Sequence, residues 1–305
     1  MSWWCVGWSD ELKDKPVAVR AGAEELVLFR NLEGMVQACE DRCAHRRVPL
    51  SMGWVTAKGT LQCGYHGWAY EGGTGQCVEI PNFRPDEPIS PRVKVRAFPA
   101  HEGSGAIFVR VDSLAAEDVP ETPHLNGIPA HSAGSGQVEL AIPHMQWVEA
   151  LMSDPCAALG LPFHLTGERA QQDSGDGSML VRFQARERQS PAPLAVRLEV
   201  WPETGFSHLV ILDATGADRL NALISSTPLD AGCTLVRWRC ASNKAPSGAS
   251  AVLRKIFKHA EGPIRIEQDA VTRIAAAPAE AVQIWRSLAP QSSSPMAQIR
   301  TVEER

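Results

Sequence analysis

No apolar run in this chain approaches the twenty or so residues that a membrane-spanning helix needs, so no membrane span is expected. The first residues, Met1-Ser2-Trp3-Trp4-Cys5, lack a basic stretch followed by an apolar core, and no secretory leader is read there. There is no excess of positive charge either. Thirty Lys and Arg against 35 Asp and Glu leave a net charge of −5, which argues against a nucleic-acid or anionic-membrane surface. No internal repeat is present, so a solenoid or propeller is not expected. Framework cysteine spacing is missing as well. Of eight Cys, six (Cys5, Cys39, Cys77, Cys156, Cys233 and Cys240) are scattered, which fits reduced thiols and a cytoplasmic location. What remains is ordinary for a soluble globular protein of one or two domains: 305 residues, 44% hydrophobic and 21% charged.

The other two Cys sit in paired motifs, Cys43-Ala44-His45 and Cys63-Gly64-Tyr65-His66, with seventeen residues between His45 and Cys63. Each pairs one thiolate with one imidazole. A [2Fe–2S] cluster with two Cys on one iron and two His on the other needs this set, supplied by two loops that each give a sulfur and a nitrogen. Zinc is the competing metal, since Cys₂His₂ also binds zinc. Zinc fingers place the two Cys together and the two His together, whereas here they alternate.

The flanks narrow the choice. Arg46-Arg47-Val48 follows the first His and Gly67-Trp68 the second, with no spare Cys in either place. The run Tyr65-His66-Gly67-Trp68 resembles the Rieske domains of ring-hydroxylating and O- or N-demethylating oxygenases. That resemblance implies a cluster low in the Rieske range of roughly −150 to +300 mV, reduced by single electrons from a reductase or ferredoxin. Tyr65 and Trp68 are candidates either to hydrogen-bond the cluster sulfurs or to give apolar cover. Arg46 and Arg47 are candidates to face an acidic donor or a neighbouring subunit's carboxylate, or to be a solvated surface pair.

Residues 1–112 read as all-β, with short apolar or alternating runs at 16–19, 26–29 and 36–39 broken by Gly22 and Gly34, and further runs at 77–80, 92–98 and 106–111. Residues 113–136, rich in Pro, Gly, Glu and Ser, read as a linker. Within 137–305 apolar residues recur at helical spacing over 146–159. Strand patterns follow at 179–185, 195–201, 208–212, 220–227 and 234–240, and helical patterns at 251–260, 267–277 and 279–288. The expected class is α+β: an all-β Rieske domain followed by an antiparallel sheet with helices on one face, resembling the oxygenase catalytic domain.

The resemblance extends, more diffusely, to the α-subunit of Rieske non-haem iron oxygenases, most closely the demethylase and aromatic-monooxygenase branch. It implies a mononuclear Fe(II) held by two His and one carboxylate, the first part arranged as Asp-x-x-His-x₄-His on a helix. Anchoring that pattern on Asp154 places Ala157 and Pro162 at the His positions; anchoring it on 149–152 places Cys156 and Leu161 there. His164 becomes a second ligand only with an insertion, and Pro162 opposes a continuous helix into it. His144 lies more than two turns too early. Asp269, in Ile266-Glu267-Gln268-Asp269, matches the third ligand, or is a helix-start charge. Asp154 matches a family residue that bridges a Rieske His of one chain and an iron ligand of its neighbour, or is an Asp-Pro turn. The Fe(II) set is therefore incomplete.

Two functions follow. One is an electron-transfer or structural subunit that passes electrons to a mononuclear iron on a partner oxygenase subunit within a homo- or hetero-oligomer. The other is a working monooxygenase or demethylase for an apolar or aromatic substrate, with His144 or His164 and Asp154 or Asp269 as rearranged ligands.

Overall fold

The computed structural model describes residues 3–84, 86–111, 134–173, 178–187, 192–240, 263–279 and 282. The chain divides into two compact units, Met1–His124 and Leu125–Arg305. Most of the expected linker, the helical pattern at 251–260, most of that at 279–288 and the Pro/Ser-rich tail lie outside the described residues. Among the described residues no helix is long and apolar enough to cross a membrane.

The first unit is built from three small antiparallel sheets. One has the order β1 (Trp3–Trp8), β11 (Ala106–Arg110), β10 (Ala100–Gly103). The second runs β2 (Val17–Ala21), β3 (Glu24–Arg30), β4 (Val36–Glu40), β9 (Ala97–Phe98). The third runs β5 (Trp54–Val55), β6 (Leu61–Gln62), β7 (Ala69–Tyr70), β8 (Cys77–Glu79). The unbroken run Leu26-Val27-Leu28-Phe29 has a physical reason. Side chains alternate across a strand, and β3 has a core on each face. Leu26 and Leu28 pack with Trp4, Val6 and Val109, while Val27 and Phe29 pack with Leu50, Leu61, Tyr70 and both motif cysteines. The second core is the floor on which the Cys/His loops stand.

The second unit is a seven-stranded antiparallel sheet in the order β12 (Gly134–Leu140), β18 (Thr234–Cys240), β17 (Asp218–Pro228), β16 (Phe206–Leu212), β15 (Pro193–Trp201), β14 (Met179–Glu187), β13 (Phe163–Asp173). Helices α1 (His144–Ser153), α2 (Pro155–Ala158) and α3 (Gln268–Ala276) bring Trp147, Leu151, Cys156 and Val271 to one core with Val181, Leu198, Leu209, Ile224 and Trp238 of the sheet. The α+β expectation therefore holds, with differences in detail. Strand β12 starts at Gly134, inside the stretch read as linker. Gly136 is there because Trp238 lies across it: a Cβ at that position would come within 2.4 Å of the indole. The helical stretch 146–159 is two helices. Pro155 cannot continue α1 and instead opens α2, with Asp154 in an extended conformation before it.

Candidate metal centre

The two motifs form matched loops. In the first, the Cys43 amide donates to the Val48 carbonyl (2.9 Å) and the Arg47 amide donates back to the Cys43 carbonyl (2.9 Å). In the second, the Cys63 amide donates to Trp68 (2.8 Å) and the Gly67 amide to Cys63 (3.1 Å). Both loops close through a left-handed residue at the same place, Arg47 at φ 57° and Gly67 at φ 70°. Glycine is required in the second loop, since a Cβ on Gly67 would also come within 2.9 Å of Pro81. Arg47 holds the strained conformation in the first and pairs with Glu40. Asp41 braces that loop from behind, its carboxylate accepting the Ser51 amide (2.7 Å) and hydroxyl (2.6 Å).

This backbone sorts the four donors into two pairs. Cys43 and Cys63 are each 1% exposed, within the core beneath the loops. His45 and His66 are exposed, their ring centroids 4.7 Å apart. The Cys63 thiol is pushed up by burial, pulled down by the amides of Tyr65 and His66 that face it, and raised again by its Cys43 neighbour. His45 is pushed below the ordinary imidazole range by desolvation and then by its neighbours His66 and Arg46, which favours the neutral ring that ligates metal. Among the described residues, no three His, Cys, Asp or Glu side chains gather as around a single ion. A zinc site asks four donors to surround one centre. Two buried thiols and two exposed imidazoles, sorted by type, fit a two-iron cluster instead.

Three aromatic residues complete the site. Trp68 stacks on His45, centroids 4.6 Å apart and planes at 4°, and Tyr65 lies 3.9 Å from the His66 ring. Trp68 is thus cover for a histidine, and Tyr65 is 64% exposed. The sulfur-bonding residue is Tyr70, which the motif reading passed over. Its hydroxyl is 3.1 Å from Cys43 Sγ and accepts the Ala44 amide at 3.1 Å. Burial, then Cys43, raises the Tyr70 pKa and keeps its proton in place. Against a thiolate the hydroxyl is therefore the donor. A signal was available: the chain has two tyrosines, and both fall within seven residues after Cys63.

The positions implied for a mononuclear iron are placed differently. Asp154 caps α2, its Oδ1 accepting the Ala157 amide at 2.9 Å. Burial pushes its carboxyl up, while the Ala157 and Cys156 amides pull it down. Helix α2 then stops after one turn. Gly160, at φ 62°, lets its amide reach the Ala157 carbonyl (3.1 Å) and the Leu161 amide reach that of Cys156 (2.8 Å), a Schellman ending. Pro162 is therefore beyond the helix and shares no helical face with Ala157. Cys156 is a buried core thiol, its pKa raised by burial. His164 is exposed on β13, an edge strand, opposite Arg186. His144 is buried, its Nε2 3.0 Å from Ser226 Oγ, and burial lowers its pKa to about 4. Asp269 is exposed in the first turn of α3.

Helix α3 runs alongside α1 in the same direction. Gln268 at its start accepts the Ala141 amide (2.8 Å), and the Ala279 amide past its end donates to Ser153 (3.1 Å). Asp269 and Asp154 thus lie toward opposite ends of α1, on the order of 15 Å for ten residues. The structure does not bring Asp154, His164 and Asp269 together.

Fold and sequence agree on a Rieske iron–sulfur domain in the first unit, and the chain is similar in sequence to monooxygenase and demethylase components. Residues 2–99 match the Rieske [2Fe–2S] domain. The chain is 36% identical over 130 residues to 4β-methylsterol monooxygenase of Methylococcus capsulatus, covering 41% of this chain and 35% of that protein. It is 38% identical over 108 residues to the oxygenase component of dicamba O-demethylase from Stenotrophomonas maltophilia, covering 35% and 31%. The chain spans about half or less of the length of the curated relatives it matches. Among solved structures, dicamba monooxygenase bound to dicamba is similar with a TM-score of 0.68 and 21% identity, over 99% of this chain and 95% of that chain. A likeness at that identity concerns the fold alone.

Proposed function

We propose that Cys43, His45, Cys63 and His66 hold a [2Fe–2S] cluster, thiolates on one iron and imidazoles on the other, and that the chain is the Rieske component of a monooxygenase- or demethylase-type oxygenase system. The observation that carries this is the sorting of the donors: two thiols buried at 1% exposure and two imidazoles at the surface, on loops of matched hydrogen bonding. When bound, such a cluster supplies one-electron transfer at a potential set by its surroundings. The chain's own residues do the rest. Tyr70 donates toward Cys43, the Tyr65 and His66 amides face Cys63, the core beneath excludes water, and Trp68 holds the His45 ring. The exposed imidazole edges are where an electron from a reductase or ferredoxin has its shortest way in. A cytoplasmic protein working in an oligomer with an oxygenase subunit is the setting this reading implies.

Two readings differ on where oxygen is activated. The geometry supports a mononuclear iron on a partner subunit, because Ala157 and Pro162 offer no lone pair and Asp269 stands apart from Asp154. The comparisons favour the second reading, oxygen chemistry on this chain with a rearranged ligand set, because the relatives are named as monooxygenase and demethylase components. Iron counting together with single turnover separates them. About two irons per chain and no product from the isolated, reduced protein under O₂ supports the partner reading. A third iron, lost together with turnover in Asp269→Ala or His164→Ala, supports the second.

A further inference from the structure

The two ligand loops share their backbone bonding but differ at the residue before each cysteine. Arg42, before Cys43, turns away to pair with Glu25. Gln62, before Cys63, turns into its own loop. Its Nε2 donates to the Gly67 carbonyl at 2.8 Å, and its Oε1 accepts the Trp54 indole N–H at 2.9 Å. The sheet sets the second contact, because Trp54 on β5 lies directly opposite Gln62 on β6. The strands approach closely there: a Cβ on Gly53 would stand 1.9 Å from the Gln62 carbonyl.

The chemistry of the two partners asks for glutamine. An indole N–H only donates and a carbonyl only accepts, so the group between them must accept at one end and donate at the other. A carboxylate would set an acceptor against the Gly67 carbonyl and bring a charge to the loop. Gly67 is where such a hold matters. It carries the left-handed turn of the loop at φ 70°, and its amide donates to the Cys63 carbonyl. The residue before it is His66. The residue after it is Trp68, whose carbonyl takes the Cys63 amide and whose ring stacks on His45 of the other loop. One side chain thus reaches the histidine of its own loop and, through Trp68, the histidine of the first.

We infer that Gln62 is a positioning residue, anchored by Trp54, that locks the Gly67–Trp68 peptide. The His66 imidazole and the Trp68 ring over His45 then keep one orientation as the centre is reduced and reoxidised. The inference rests on the reading that His45 and His66 are cluster ligands. Side chains behind a ligand orient it and tune the metal it holds. With the brace in place the Tyr65 and His66 amides stay aimed at the Cys63 sulfur, where they favour the more negative, reduced cluster. Without it they turn aside and reduction becomes harder.

The test uses the intact, cluster-loaded protein, with dithionite as reductant, film voltammetry for the potential and EPR for the ligand field. Gln62→Met should keep about two irons per chain and make reduction about tenfold less favourable, a potential lower by about 59 mV. Its EPR g values should broaden, because the imidazoles no longer hold one orientation. Trp54→Phe keeps a ring and removes the N–H, and should move the potential the same way by about threefold. Thr60→Val breaks the 2.7 Å bond between the Thr56 and Thr60 hydroxyls at the turn of the same hairpin. It should cost stability and leave potential and spectrum as they are. If Gln62→Met takes up no iron, Trp54→Phe decides: a lowered potential supports the inference and an unchanged one overturns it. A loaded Gln62→Met with wild-type potential and spectrum overturns it, as does a Thr60→Val shift as large as that of Gln62→Met. A colourless wild type without EPR signal is instead the failure of the cluster reading, and the inference falls with it.

Discussion

The cluster loops and the α1–α2 corner use the same local devices to opposite ends. Each has a tight turn closed by a residue at positive φ, Arg47 and Gly67 in the loops and Gly160 after α2. Each has a carboxylate tied to backbone amides nearby, Asp41 behind the first loop and Asp154 at α2. In the loops the turns carry Cys43, His45, Cys63 and His66, two buried thiols and two exposed imidazoles whose rings lie 4.7 Å apart. In the corner the equivalent positions carry Ala157, Pro162 and a buried Cys156, and the turn serves to end a helix against the Arg265 backbone. The lesson is that a backbone suited to a metal site is silent about the metal until the side chains at its turn are read.

The comparison breaks most completely at the cysteines. Cys63→Ser should abolish the cluster, taking iron from about two per chain toward none and removing the visible absorption. Retained iron and colour would refute the ligand assignment. In the corner the backbone is the critical part. A Cβ on Gly160 would come within 1.8 Å of the Arg265 carbonyl at φ 62°, so Gly160→Ala should destabilise by roughly 3–4 kcal/mol in urea unfolding, without altering the cluster spectrum.

Acid provides the next largest effect. His144 is neutral and buried, with a pKa lowered from 6.5 to about 4. The unfolded chain therefore takes up the proton first as pH falls. Stability from this group is full above about pH 6.5 and is lost on descending to about pH 4, roughly 3 kcal/mol in all. Denaturation midpoints across that window should fall in wild type and flatten in His144→Gln. A smaller effect belongs to Tyr70. Tyr70→Phe removes the hydroxyl facing Cys43 and should lower the reduction potential by roughly 60 mV, the one-electron equivalent of about 1.4 kcal/mol. Protein-film voltammetry would show it, and an unchanged potential would remove Tyr70 from the site. The smallest concerns the symmetry of the loops. Arg47→Gly relieves a left-handed arginine but loses an exposed pair with Glu40, so it should stabilise by less than about 1 kcal/mol and leave cluster loading intact.

Much of this was legible in the residues. The Rieske domain was legible because the Cys/His motifs are local, so their spacing survives without tertiary knowledge. The runs at 26–29 and 234–240 announce strands because both of their faces are buried. Strand β13 was hidden because it is an edge strand interrupted at Gly167, with an irregular register between Thr166 and Ala170. Strand β12 was hidden because Gly134 and Gly136 carry linker composition, and only Trp238 across the sheet explains them. Tyr70 was missed because its hydroxyl reaches back to Cys43, 27 positions away. The parallel course of α3 along α1, which separates Asp269 from Asp154, depends on two long-range hydrogen bonds that no local pattern carries.

The most direct test of the central claim is pulsed EPR on the dithionite-reduced protein, alone and in His45→Cys and His66→Cys variants. The account predicts a spectrum with average g below 2 and strong coupling to two histidine nitrogens. One coupling should disappear in each variant, with a potential shifted downward by the added thiolate. A colourless, EPR-silent protein carrying one zinc per chain, or an iron–sulfur signal without nitrogen coupling, would contradict it.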